Sequence, residues 1–282
     1  MKLTNQITAL LDAVGRLLDN DALNDSCWDE VEVLLAPIQF STLRNTLQNP
    51  AFHGEGDVMA HTRLVCRELC VLEGFRSLVR EQKETLMLAA LLHDVGKTKS
   101  KRWEPGVGWT FHNHNIIGAK MVPQIFRRLK LPLGAEMRQV QLLVDLHMRP
   151  QVIADSEVTD SAVRRLLNDA GDYIDDLMLL CEADITSKNE VKKRMFLENF
   201  RMVHEKLADL KEKDYKRLLQ PVIDGNEIMQ MFHLQPSREV GVLKQYLKDA
   251  VLDNRVDNER EALMALLIDK ARQMGLPIPE QP

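Results

Sequence analysis

The sequence predicts an all-α fold, and three observations carry that expectation. Apolar residues recur at helical spacing along nearly the whole chain, as in Leu3, Ile7, Leu10, Leu11, Val14, Leu17 and Leu18. Strand-like alternation is confined to one short segment, and neither an internal repeat nor a low-complexity stretch breaks the pattern. The composition agrees: 282 residues, 45% hydrophobic and 28% charged, are ordinary for a globular protein. That balance excludes a disordered tail protein, a collagen-like rod and a small disulfide scaffold.

Taken in order, the periodicity predicts helices over 3–19, 28–47, 57–73, 82–95, 115–130, 133–147, 159–169 and 172–185. A long charged helix is expected near 189–218, with shorter ones near 225–232, 238–252 and 257–274. Asp57 and Thr159 stand where N-caps belong, and Gly96 and Gly275 where C-terminal caps belong. Trp103-Glu-Pro-Gly-Val-Gly-Trp109-Thr-Phe111 alternates around a Pro-Gly turn and is expected to form a short hairpin. Pro123 predicts a helix kink or an early helix boundary. Asp19-Asn20-Asp21 is an acidic pair at alternate positions, but neither a Gly-Ser turn nor a strand precedes it, so it reads as a turn after a helix.

The net charge of −5 conceals an asymmetry, because residues 187–220 hold ten basic and six acidic side chains. A globally acidic chain does not coat nucleic acid non-specifically, although a local patch can touch phosphates. An aromatic fraction of 5% argues against base stacking as a chain-wide device. Composition turns charge-rich near Thr186–Glu190, which predicts a boundary between two packed subdomains. Cys27, Cys66, Cys70 and Cys181 lack metal-site spacing and read as small buried hydrophobes. The longest apolar run, Leu86–Leu92, is far shorter than the roughly 20 residues of a membrane span. The N-terminus has no secretory-signal pattern, so a cytoplasmic location without membrane contact is expected.

The chemistry is concentrated in His61, His93, Asp94, His114, His147 and Asp184. Most lie on or beside apolar helical stretches, where a polar group needs a partner. His93-Asp94 ends the run Leu86–Leu92 and can aim a nitrogen and a carboxylate at one ion from a rigid element. Imidazole suits Zn, Ni, Fe, Co and Mn, while added carboxylates widen the choice towards Mg and Mn, so the metal stays open.

These residues carry a resemblance. His61, His93-Asp94 and Asp184 resemble the defining ligands of the HD superfamily of metal-dependent phosphohydrolases. Ala89-Ala-Leu-Leu-His-Asp-Val-Gly-Lys97 is similar to its signature, and His114-Asn-Ile-Ile-Gly-Ala119 to the H-x-x-x-G-A element that follows it. His147 resembles the later histidine of members with two metals. Within the superfamily, Glu55-Gly-Asp-Val-Met-Ala-His-Thr62, Cys181–Asn189, Gln220–Met229 and Val240–Lys244 resemble the bacterial tRNA nucleotidyltransferases, the CCA-adding enzymes. The residues before the HD region read as helices, without that family's phosphate-cradling glycine turn or paired aspartates on strands. Nucleotidyl transfer is therefore expected to be absent, leaving the HD part and tail alone.

The resemblance implies an HD helical bundle over 50–186, a helical flank over 1–49, and a C-terminal helical tail over 187–282 packed on the bundle. It implies a divalent cofactor, one ion or two. His61, His93, Asp94 and Asp184 would hold the first, and His114 and His147 either a second, with Asp94 bridging, or the phosphate itself. His93, Asp94 and Lys97 are the expected catalytic residues. Lys97, His112, Arg102 and Arg149 are the expected phosphate contacts, backed by Lys99 and Lys101, while Glu68 and Asp145 read as surface or supporting acids. The implied reaction is hydrolysis of a nucleotide or RNA-terminal phosphoester, such as a 2′,3′-cyclic phosphate, with possible tRNA contact through residues 187–220. A signalling-nucleotide hydrolase of the same fold and a non-catalytic RNA-binding scaffold are the alternatives. The oligomeric state stays open.

Overall fold

Eight consecutive residues, Thr85–Leu92, are buried, so the helix that carries them is enclosed all round rather than along one stripe. In this computed structural model, which describes residues 2–49, 54–155, 159–186, 190–212, 220–253 and 255–277, the chain divides into two compact units. The first comprises 1–157 with 170–203, and the second 158–169 with 204–282. The described structure is helical apart from one two-stranded hairpin and an isolated bridge. The domain edges expected at 50 and near 187 lie at 50–53 and 187–189, outside the described residues.

In the first unit, α1 (Lys2–Asp19) and α2 (Asp25–Leu34) lead into α3 (Val58–Val71), a short α4 (Glu73–Arg76) and the enclosed α5 (Arg80–Leu92). One turn later come α6 (Lys97–Ser100), β1 (Arg102–Glu104) and β2 (Gly108–Thr110), then α7 (His114–Leu129), α8 (Ala135–Leu146) and α9 (Arg149–Asp155). After α10 (Asp160–Ala170), α11 (Ile174–Ala183) returns to this unit, followed by α12 (Glu190–Glu212), of which the part up to Val203 belongs here. α5 packs against α1, α3, α8 and α11, and α7 lies along α8. The strands are antiparallel with Trp103 opposite Trp109, as the alternation predicts. Asp57 caps α3 by accepting from the Ala60 N–H, and Thr159 Oγ1 accepts from the Ala162 N–H at 3.2 Å.

Three expectations need correction. The helix predicted over 28–47 stops at Leu34 and gives way to 3₁₀ turns at Ala36–Ile38 and Phe40–Asn45. Pro37 lacks the N–H that would continue the helix, while buried Phe40 and Leu43 sustain the apolar rhythm beyond it. Gly96 is not a C-terminal cap: its φ is −65°, and it is glycine because backbone passes against it. A Cβ there would lie 1.9 Å from the His114 carbonyl oxygen and 2.6 Å from the Gly118 nitrogen. Of the kink or early boundary expected at Pro123, the boundary does not occur, since α7 runs through it. The short α9 was not foreseen; its proline sits in the first turn, where a missing N–H costs nothing. The predicted helical stretch at 213–218 lies outside the described residues.

The second unit has its own apolar core. α13 (Gly225–Phe232), α14 (Arg238–Leu252) and α15 (Arg260–Gln273) bury Ile228, Phe232, Leu243, Leu247, Leu263 and Leu267 together. Arg165 on α10 pairs with Asp253 at 2.6 Å and Asp249 at 3.2 Å. Gly275 follows α15 at φ 72°, the left-handed cap that the sequence predicts.

Candidate metal centre

Three histidines are presented by one local device. His93 follows α5 and His147 follows α8, each with ring Nδ1 2.7 Å from the carbonyl oxygen three residues earlier, Ala90 or Val144. His114 opens α7 with Nδ1 2.9 Å from the Phe111 carbonyl. A carbonyl oxygen only accepts, so Nδ1 carries a proton in all three rings, and wherever the ring is neutral Nε2 is left with its lone pair. For His93 and His147 the acceptors are among the carbonyls that every helix end leaves without an intrahelical partner. The local sequence, a histidine just past an apolar helix, therefore sets the tautomer.

The three Nε2 atoms converge on Asp94. His93 Nε2 lies 3.3 Å from Asp94 Oδ2, and His114 and His147 Nε2 lie 3.3 and 4.0 Å from Oδ1. The close pass of Gly96 beside His114 and Gly118 allows this meeting of the α5 end with the α7 start. His114 and His147 Nε2 stand 3.2 Å apart. Burial, reinforced by His93 and His114, pushes His147 down to about 3, and burial also lowers His114. Two neutral rings thus face each other lone pair to lone pair, an arrangement that a shared cation relieves.

His61, from α3, sits differently. Its Nδ1 donates to Glu55 Oε1 at 2.8 Å, with Thr186 Oγ1 3.2 Å from the same nitrogen. Its Nε2 donates to Asp184 Oδ1 at 2.8 Å and lies 3.6 Å from Asp94 Oδ2. Burial opposes the charged ring, but Asp184 and Glu55 together raise it to about 9. Asp184, just past α11, is likewise opposed by burial and held below the usual carboxylate range by His61, His93 and His147. Burial also works against ionised Asp94, yet Lys97, His93 and His114 hold its carboxyl well below that range. Lys97, buried on α6, reaches Asp94 Oδ2 at 2.8 Å and donates to Gln48 Oε1 at 2.7 Å.

The donor set fits a metal ion. His61, His93 and Asp94 form one group whose ligand atoms all lie within 4.8 Å of one another, and Asp94, His114 and His147 form a second. His93 Nε2 and both oxygens of Asp94 are buried with no hydrogen bond, Lys97 contributing an ion pair only. Buried polar atoms left this way are rare unless an ion or water completes them. Imidazole nitrogen with carboxylate oxygen suits a first-row divalent ion. A cavity of about 450 Å³ opens past His61, Asp94, His114 and Asp184 and is walled by Phe111 and Gln151. Its volume falls within the range of small-molecule sites.

All six expected ligands are therefore brought together. Of the expected phosphate contacts, Lys97 and His112 line the cavity, whereas Arg102 and Arg149 are not among its lining residues. Glu55 and Gln48 went unforeseen as parts of the site. Glu55 stands between two glycines just ahead of the α3 cap, and a buried acid before a ligand-bearing helix is the one local signal it offers. Gln48 meets Lys97 across 49 positions, which no local pattern reports.

Comparison with known proteins agrees with this geometry. Residues 58–189 match the family model of the HD domain. The chain is 33% identical over 193 residues to the A-adding tRNA nucleotidyltransferase of Deinococcus radiodurans, covering 66% of this chain and 42% of that protein. It is 30% identical over 181 residues to the CC-adding tRNA nucleotidyltransferase of Thermus thermophilus, covering 64% of this chain and 39% of that one. The chain thus spans about two-fifths of the length of these relatives. Among the described residues no helix is long and apolar enough to cross a membrane. Signature, converging histidines and carboxylates, and family match coincide over residues 58–189, the stretch of this chain that is similar to the HD domain.

Proposed function

We propose that this chain is a metal-dependent phosphohydrolase acting on a nucleotide or RNA-terminal phosphoester, such as a 2′,3′-cyclic phosphate. One observation carries the reading: the Nε2 atoms of His93, His114 and His147 and the carboxylate of Asp94 converge, buried, beside a cavity that also holds a lysine. His61, His93, Asp94 and Asp184 would hold one divalent ion, and His114 and His147 a second with Asp94 shared. Such an ion, when bound, supplies an acidified water nucleophile and neutralises phosphoryl oxygens.

The remaining work falls to the chain itself. Glu55 orients the His61 ring, and the Ala90, Phe111 and Val144 carbonyls orient the other three. Lys97, ion-paired with Asp94 and facing the cavity, is placed to attract a phosphate, and His112 stands at its wall. Both similar proteins are tRNA nucleotidyltransferases, which favours an RNA-end substrate and supports RNA contact by the charged stretch after residue 189.

Metal analysis of the purified chain, with phosphomonoesterase and phosphodiesterase assays across Mn, Ni, Co, Mg and Zn, tests the reading. Bound metal and turnover that vanish in Asp94→Ala are expected. A wild-type chain that neither binds metal nor turns over any phosphoester, with Asp94→Ala indistinguishable from it, would sink the proposal.

A further inference from the structure

Two of the three tryptophans stand opposite each other on the hairpin, Trp103 against Trp109, with ring centroids 5.1 Å apart in an edge-to-face pair. Trp109 is half-buried, but Trp103 is 61% exposed. Alternation along the strands puts Lys101, Trp103, Trp109 and Phe111 on one side. The contacts agree, since Lys101 Nζ lies 4.2 Å above the Trp109 ring. Phe111 continues the same side into the cavity lined by His61, Asp94, His114 and Asp184, where Lys97 Nζ stands 5.6 Å from its ring centre. An aromatic stripe flanked by lysines therefore runs from solvent to the candidate centre.

The opposite side of the hairpin is polar and internally tied. Thr110 Oγ1 donates to Glu104 Oε1 at 2.7 Å, and His112 Nε2 lies 3.0 Å from the same oxygen. Asn49 Nδ2 donates to the Val107 carbonyl at 2.8 Å and ties the turn to the segment before α3. The exposed tryptophan is thus presented by a braced ribbon. Cross-strand stabilisation accounts for a pair of large apolar residues, but a leucine would serve it as well. It does not account for a lysine over one ring and continuity with a cavity lined by cation and metal ligands.

We propose that this hairpin side is a base-stacking subsite. Trp103, with Lys101 beside it, would take a nucleobase of a single-stranded RNA end whose terminal phosphate lies in the cavity. The inference rests on the phosphohydrolase reading and names its substrate class. A π-face over a cation-flanked groove accepts any base and gives affinity without sequence readout. The low aromatic fraction of the chain is no objection, because the rings are concentrated where they would be used.

The test is binding of a short single-stranded adenosine oligoribonucleotide to the full chain in chelator, followed by tryptophan fluorescence and by anisotropy of a labelled strand. Quenching on binding is expected in the wild type. Trp103→Leu should raise Kd roughly 10- to 100-fold, the size of losing one base–aromatic stack. Trp103→Phe, which keeps a π-face, should bind within about threefold of the wild type. Circular dichroism of both variants checks that the fold is retained. If the wild type binds no strand at low salt, or Trp103→Leu binds as well as Trp103→Phe, the subsite is refuted. Failure of the hydrolase reading is separate: strand binding that depends on Trp103, in a chain hydrolysing no phosphoester with any metal, keeps the stacking face and removes the enzyme.

Discussion

On one side of Asp94, the ring of His61 lies between the carboxylates of Glu55 and Asp184 and is raised to about 9. On the other, His114 and His147 face each other with their Nδ1 protons spent on backbone carbonyls, and His147 is pushed down to about 3. Residue types are the same, and the charge states of the metal-free chain are opposite. The His61 side carries its own positive charge among acids, so a proton there does part of what a cation would do. The His114 side has none and offers only lone pairs. What surrounds an imidazole, rather than its presence in a motif, decides whether it is a cation or a ligand.

Removing the carboxylate between the two sides is the harshest test of the comparison. Asp94→Asn leaves Lys97 buried without its counter-charge and should cost roughly 3–5 kcal/mol in urea unfolding of the metal-free chain. Metal affinity, measured by equilibrium dialysis, should fall by more than about 100-fold. An unchanged affinity would show that Asp94 is not shared between the two groups.

The pH dependence of metal-free stability separates the two sides directly. His61 is raised in the folded state, so its contribution is full below about 6.5 and is lost as pH rises through about 9. That loss amounts to roughly 3 kcal/mol. His147 is lowered, so the unfolded chain takes up its proton first, and stability falls as pH drops from about 6.5 towards 3. Urea midpoints in chelator should therefore be highest near neutral pH. His61→Gln should flatten only the alkaline limb and His147→Gln should flatten the limb below neutral pH. A single limb removed by either substitution would mean the two sides titrate as one.

Smaller changes sharpen the picture. Glu55→Gln keeps an acceptor for His61 Nδ1 but removes the charge that favours the protonated ring. Metal affinity should drop roughly 10- to 100-fold, with the alkaline limb shifted to lower pH. Gln48→Leu should cost about 1 kcal/mol, because Lys97 loses one acceptor but keeps Asp94. A loss as large as that of Asp94→Asn would make Gln48, not Asp94, the main anchor of the lysine.

Much of this was legible in advance where the physics is local. The all-α architecture follows from apolar spacing, and the caps at Asp57, Thr159 and Gly275 follow from hydrogen-bonding and left-handed backbone preferences. Most of the six candidate ligands were visible as polar groups on or beside apolar helices, a placement that demands partners. The helix over 28–47 failed because periodicity survives in 3₁₀ turns, which bury Phe40 and Leu43 with the same rhythm. Gly96 was misread because a glycine after a helix looks the same whether it caps the helix or admits another backbone. Glu55 and Gln48 were missed because their partners are set by packing.

Apolar spacing in the sequence was enough to place His93-Asp94 and His147 at helix ends. Only the tertiary structure decided which groups meet: His61 with Asp184 across 123 positions, His114 with His147 across 33, and Gly96 against the start of α7. Charge state follows from those meetings, because an ionisable group responds to the field and hydration at its position, and both exist only once distant segments have packed around it.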